Sequence, residues 1–332
     1  MKVLLAVMMF LFGSIMPAGA QCIDYGNHLH WADNFPMPDD ILNTTISGDH
    51  AFLGTRNSGI LVVDISDPLV PQVIGSEASI ADPSWVSISD NIAYVADLYF
   101  GLRILDISDP TNPLPLGSLE MVAGNVSCVE VNDRYAYLAN GTYGLKVVDI
   151  TDPANPYLAY TLYPPGGING LVIDGNLLYG ALGNGFEVYD ITYTNPRVQG
   201  EVNGLGTPRM VVLSGNLAFV VSYDFGLFVI DVADPVNPEL IGQVRTPGAA
   251  VKLDVTGNHV FVADVYSGIQ VIDISDPTSP EIVGSFETDL NAIDIDLSGG
   301  FAFAADGGPT LQVLDAHHPD SPLMIGATED LP

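Results

Sequence analysis

Acidic, amide and aromatic side chains recur in this chain at spacings suited to recognition chemistry. Asp97-Leu98-Tyr99-Phe100, Asn140-Gly141-Thr142-Tyr143, Ser222-Tyr223-Asp224-Phe225, Asp264-Val265-Tyr266-Ser267 and Asp306-Gly307-Gly308 form one such series. Aromatic faces can meet sugar C–H surfaces or anchor a protein partner, while carboxylates accept hydroxyl hydrogens. The candidate ligand-binding residues are therefore Asp97, Tyr99, Phe100, Asn140, Tyr143, Tyr223, Asp224, Phe225, Asp264, Tyr266 and Asp306. An architectural reading stands beside this one: the acid caps a turn and the ring packs inside. A second set comprises Glu130, Asp254, Asp294 and Asp296 with Lys252, at alternate positions of apolar runs. Converging carboxylates suit a hard cation such as Ca²⁺. The competing reading is a channel lined by solvated charges.

Catalytic signatures are sparse. The six histidines are His28, His30, His50, His259, His317 and His318; a metal site joining the two terminal pairs is conceivable but unsupported by any ligand spacing. No Gly-x-Ser-x-Gly elbow, phosphate-binding loop or HExxH motif occurs. Acidic pairs abound, so a glycosidase-like couple is compatible with the composition, but nothing singles one out. Two cysteines, Cys22 and Cys128, do not make a disulfide framework. They could pair in an oxidising compartment, or Cys128 could be a buried free thiol in its apolar run.

The elements that would position these residues are dictated by a repeat. GILVVDISDP at Gly59 returns as GLRILDISDP at Gly101, GLKVVDITDP at Gly144, GFEVYDITYT at Gly185, GLFVIDVADP at Gly226 and GIQVIDISDP at Gly268. A degenerate copy, TLQVLDAHHP, begins at Thr310. The spacing is about 42 residues throughout. Each unit reads as four short strands: an apolar run ending in a Gly or Asn/Asp turn, a run such as IAYVAD, the Gly-led phrase, and a run such as PLPLGS after a proline-rich turn. Helices are excluded because proline in Asp-Pro-x-x-Pro removes backbone donors and clashes with the preceding turn. A lone four-stranded unit would expose two apolar faces. Stacking seven around an axis buries both, which predicts a single all-β, seven-bladed β-propeller with four antiparallel strands per blade over residues 21–332. On the inner strands, Ile46/Thr44 and their counterparts should pack between blades, turning Glu130, Lys252, Asp254, Asp294 and Asp296 to the axis. The ring is expected to close with residues 322–331 as the outer strand of the last blade and residues 29–38 lying across it or pairing alongside.

Charge narrows the partners. Nine Lys and Arg face 40 Asp and Glu, for a formal net charge of −31. Such a surface repels phosphate backbones, so nucleic acid and anionic membrane are excluded as partners. Met1 and Lys2 precede an apolar stretch to Ile15 that is too short to span a bilayer, and Ala18-Gly19-Ala20 follows. This predicts a signal peptide over residues 1–20. Cys22 follows Gln21, which disfavours lipidation because a small residue should precede a lipidated cysteine. No further apolar run is long enough to predict a transmembrane segment in the mature chain.

The phrases GLRILDISDP, GLKVVDITDP and GIQVIDISDP, with the preceding NIAYVAD and NHVFVAD, resemble the LVIVD repeat of bacterial exported proteins. The resemblance covers nearly the whole mature chain and is specific in six of the seven copies. The last departs, with Ala316-His317-His318 in place of Ile-Ser-Asp. It implies a β-propeller that is secreted, periplasmic or on the bacterial surface, and it brings no catalytic residues. The sequence thus points to an extracellular binding or scaffold module recognising protein or carbohydrate on one face. The alternatives are a propeller enzyme acting on carbohydrate or another exported polymer, and a Ca²⁺-stabilised structural surface protein.

Overall fold

The local reason for the fold lies in glycines that no other residue could replace. The Gly opening each repeat phrase sits at positive φ in Gly59, Gly101, Gly144, Gly226 and Gly268. A Cβ at Gly59, Gly144 or Gly268 would also lie within 2.2 Å of a carbonyl oxygen of the neighbouring outer strand. Both the left-handed backbone and the close strand approach exclude a side chain. The computed structural model describes residues 34–121 and 123–317. Among these the strands form seven four-stranded antiparallel sheets, and no helix occurs.

Blade 1 runs outward from the axis as Ile41–Ser47, His50–Thr55, Gly59–Asp64 and Gln72–Glu77. The inner strands of blades 2 to 7 are Pro83–Ser89, Cys128–Val131, Ile168–Asp174, Pro208–Ser214, Ala250–Thr256 and Asp294–Ser298. These inner strands touch in cyclic order, the first meeting the last. Tight turns link them to the second strands, with positive φ at Gly48, Asp90, Gly175, Gly215, Gly257 and Gly299. Second strands such as Ile92–Asp97 are buried almost throughout, because blades cover both of their faces.

Neighbouring blades dock through a second glycine. Gly75, Gly117, Gly200 and Gly242 occupy one position of the outer strand in blades 1, 2, 4 and 5. A Cβ there would meet the carbonyl oxygen of Pro110, Pro153, Pro235 or Pro277 in the next blade's proline turn at 2.5 Å or less. In that turn the repeat Asp residues accept the N–H two residues on, as Asp64 does from Ser66 and Asp106 from Ser108. These contacts hold the Asp64 and Asp106 carboxyls below the usual range.

The inner-strand prediction holds. Thr44, Val86, Val129, Leu171, Val211, Leu253 and Ile295 are all buried between blades.

Ring closure differs from the expectation. The outer position of blade 7 is filled from the N-terminus: Asn34–Pro36 pairs antiparallel with Thr310–Asp315, Pro36 opposite Thr310. Residues 322–331, expected in that slot, lie outside the described residues. The chain then runs straight into the inner strand of blade 1, so an N-terminal outer strand needs no crossing connection.

Candidate functional site

The axial carboxylates come together as their alternation predicts. Glu130, Lys252, Asp254, Asp294 and Asp296 all line one axial cavity of about 320 Å³, with Thr45, Ser87 and Trp85. What they do there differs from simple convergence. Asp294 Oδ2 accepts the N–H of Thr44 at 2.7 Å and the side-chain amide of Asn43 at 2.9 Å. Asp296 Oδ2 accepts Ile46 N–H at 2.6 Å. Asp254 Oδ2 accepts Leu297 N–H at 2.8 Å. Each of these three carboxylates therefore reaches from its own inner strand to the unpaired backbone edge of the next. The remaining oxygens accept N–H groups of their own strands. Such charge-assisted bonds are worth roughly 1.5–3 kcal/mol each. Among the described residues no group of three or more His, Cys, Asp or Glu is arranged to hold a metal ion.

Burial raises the Asp254 carboxyl, and burial with the neighbouring Asp254 raises Asp296 well above the usual range. Contact between the two acids raises Asp296 further and opposes the rise of Asp254, so the proton is favoured on Asp296. Glu130 is pushed up to about 8 by burial, against the opposing pull of the Trp85 side chain and Lys252. The Lys252 Nζ lies 3.6 Å from the Trp85 ring centroid and 3.7 Å from Asp294 Oδ1, with no hydrogen-bond acceptor closer. Trp85 was not singled out from the sequence. It stands at the same inner-strand position as Lys252 and Asp294, and it packs against the cores of three blade interfaces, partly plugging the lumen. The alternation that marked the acids would have marked it too. Cys128 occupies the same position in blade 3 and is a buried free thiol, its pKa raised by burial; Cys22 lies outside the described residues.

The loop series divides in two. Asp97, Asn140, Asp264 and Asp306 are buried at the ends of second strands. Asn140 donates to the Ala123 carbonyl, Asp264 accepts from Thr246 Oγ1 and Gly248 N–H, and Asp306 accepts from Leu290 N–H, Gly308 N–H and Gln312. Asp97 lies 3.5 Å from the Arg103 guanidinium. These four tie down the loops that enter the inner strands and are not on the surface, which corrects their reading as ligand-facing groups. Burial raises the Asp264 and Asp306 carboxyls. The rings separate from them: Tyr99 is 58% exposed, Tyr143 50% and Tyr266 70%, with Phe100 and Phe225 exposed as well. Tyr223 and Tyr266 share a hydroxyl–hydroxyl contact of 3.1 Å, and Arg209 lies over the Tyr223 ring. That hydrogen bond raises the Tyr223 phenol. Asp224 is exposed and accepts from Thr207 Oγ1 at 2.6 Å. One face of the propeller thus carries aromatic side chains around its rim on loops fastened from beneath.

The LVIVD repeat model matches residues 42–77, 82–120, 123–162, 206–246, 247–288 and 291–330. The chain belongs to the LVIVD repeat family. The last copy, expected to depart, is matched by this family's model; the unmatched stretch is residues 163–205, which hold most of blade 4. No curated protein matches. Among solved structures the chain is similar to the WD40 β-propeller domain of Doa1, at 11% identity and a TM-score of 0.68, covering 86% of this chain and 95% of that one. The computationally designed Ika8 protein is similar at 13% identity and a TM-score of 0.64, over 86% and 98%. A Bacteroides uniformis protein provisionally assigned as a 6-phosphogluconolactonase is similar at 13% identity and a TM-score of 0.65, over 86% and 96%. At these identities the likeness is one of fold.

Proposed function

We propose that this LVIVD repeat protein is a non-catalytic binding module, exported from the cell, that presents the aromatic loop face to an extracellular glycan or protein. The observation that carries the reading is the separation of roles within each loop. In the loops at Asp97, Asn140 and Asp264 the acid or amide is buried and fastens the loop through hydrogen bonds or an ion pair, while the neighbouring ring stays exposed. A rigid ring of exposed aromatics loses little conformational entropy when a partner docks, which favours binding. The three axial aspartates are engaged with backbone N–H groups, so the lumen offers less free chemistry than the face. The leader-like residues 1–20 support export to the periplasm, the cell surface or the medium.

The test is a glycan array, with and without Ca²⁺, beside cross-linking of secreted proteins, using the mature protein and a Tyr99→Ala/Tyr223→Ala variant. Binding lost in the variant at unchanged melting temperature is the expected result. Binding that survives the double substitution would remove the loop face from the reading, and Ca²⁺-dependent binding would return attention to the axis.

A further inference from the structure

In a repeat protein every copy answers to the same architectural demands, so several exceptions meeting at one seam need another cause. Three meet between blades 3 and 4. The turn after the phrase in blade 4, Ile191-Thr192-Tyr193-Thr194-Asn195-Pro196, is one residue shorter than its counterparts and lacks Asp-Pro. The outer strand of blade 3 carries Tyr160 opposite Val147, the register position that glycine holds in blades 1, 2, 4, 5 and 6. Residues 163–205 also fall outside the family model. The docking of glycine against a proline carbonyl, seen at four other seams, is therefore lost on both partners at once.

At this seam an open groove of about 590 Å³ lies on the face opposite the aromatic loops. Its size falls in the range of small-molecule sites, roughly 300–1,000 Å³. Residues 132–135, 175–176 and 191–194 line it. Tyr193 is 55% exposed, with the Arg197 guanidinium 4.9 Å from its ring centroid. Arg134 stacks on Tyr135 at 5.0 Å and lies 3.4 Å from Asp149 Oδ2, which also accepts the Tyr157 hydroxyl at 3.1 Å. Tyr135 and Thr194 exchange a hydroxyl hydrogen bond of 2.7 Å across the two blades. The groove thus combines an exposed ring stiffened by a cation with an Arg–Asp pair whose charges cancel.

We infer that this groove is a second binding site, for a short neutral oligosaccharide. A sugar ring presents C–H groups to Tyr193 while its hydroxyls bridge Arg134, Thr192 and Asn176. An anionic ligand is disfavoured because Asp149 already neutralises Arg134 and the protein as a whole is strongly acidic.

The test is saturation-transfer NMR and calorimetry of the mature protein with cellohexaose, maltohexaose, xylohexaose and chitohexaose. At least one should bind the wild type. Tyr193→Ala should weaken it by about tenfold or more, Tyr193→Phe should keep it within about twofold, and Tyr99→Ala/Tyr223→Ala should leave it unchanged. No binding by any of the four overturns the inference. So does binding that Tyr193→Ala leaves intact, or binding lost only in the Tyr99/Tyr223 variant; the last result would leave the loop-face function standing. Matching melting temperatures of Tyr193→Ala and Tyr193→Phe would exclude misfolding as the cause of a loss.

Discussion

Glu130 offers the sharpest quantitative test of the axial geometry. Its carboxyl is raised from 4.5 to about 8, chiefly by burial. At ~1.4 kcal/mol per pH unit, ionising it inside the channel costs roughly 5 kcal/mol more than ionising it in water. The side chain keeps partial exposure to the lumen, and solvent screening reduces that figure to about 2 kcal/mol. The sign follows from proton counting. Between pH 4.5 and 8 the folded chain holds a proton that the unfolded chain has released, so this contribution to stability falls as pH rises and is level above that window. Glutamine has no proton to lose, so Glu130→Gln lacks the fall. The groups that face Glu130, Trp85 and Lys252, are common to both proteins, as are Asp254 and Asp296, whose own raised carboxyls cancel in the comparison. Differential scanning calorimetry at pH 5, 7 and 9 reads the difference. The wild type should lose about 4 °C more than the variant between pH 5 and 9, taking ~2 °C per kcal/mol for a domain of this size. Parallel curves would refute the reasoning: Glu130 would then be ionised in the folded state already at pH 5, with Lys252 as an effective partner.

Other substitutions probe the blade seams. Gly117→Ala should lower stability by about 2 kcal/mol, because a Cβ there lies 2.1 Å from the Pro153 carbonyl oxygen. Gly175→Ala, in open space at φ +56°, should cost only the backbone penalty of about 1 kcal/mol; thermal denaturation of the pair separates the two causes. Asp39 accepts the N–H groups of Asn57 and Ser58 and the Asn57 amide, which hold its pKa down at about 2. Its contribution is present above pH 3.8 and lost as pH falls towards 2, so Asp39→Ala should lower the melting temperature at pH 6 and have little effect near pH 2.

Sequence carried the fold because each structural demand repeats. The positive φ at Gly59 and Gly101, the Asp64 and Asp106 turns and the apolar side of the inner strands recur at one spacing, and a spacing can be read without a structure. It also gave the direction in which Glu130, Asp254, Asp294 and Asp296 point, since a strand alternates with period two. It did not give their partners. Thr44 and Ile46 are 250 residues from the carboxylates that bind them, and backbone N–H groups leave no mark in the sequence. Asp97, Asn140, Asp264 and Asp306 were misread for a related reason. An acid beside an aromatic looks the same whether it faces solvent or caps a buried loop, and only the position of the strand end decides. The exposed rings next to them were legible. The groove between blades 3 and 4 was not, because the Tyr160 exchange gains meaning only when set beside the shortened turn that it faces in the next blade.

The distribution of axial charge follows from how the ring is closed. Blades early in the chain are joined by neutral side chains donating to carbonyls: Thr45 to Val86, Ser84 to Val126, Ser127 to Asn169 and Asn169 to Pro208. The seams on either side of blade 7 use carboxylates accepting N–H groups instead, Asp254 from Leu297 on one side, and Asp294 from Thr44 and Asp296 from Ile46 on the other. Blade 7 is also the blade whose outer strand is not continuous with its third; among the described residues its ladder spans three, Asn34 to Pro36. A short terminal strand frays readily, and if it peels away blade 7 loses its chain connection to blade 1. The carboxylates lie on the inner strands, far from that strand, and would still bind blade 7 to its neighbours. Carboxylate bonds therefore sit where covalent continuity is weakest, and Asp254, Asp294 and Asp296, which read as cation ligands in the sequence, tie blade 7 to its neighbours.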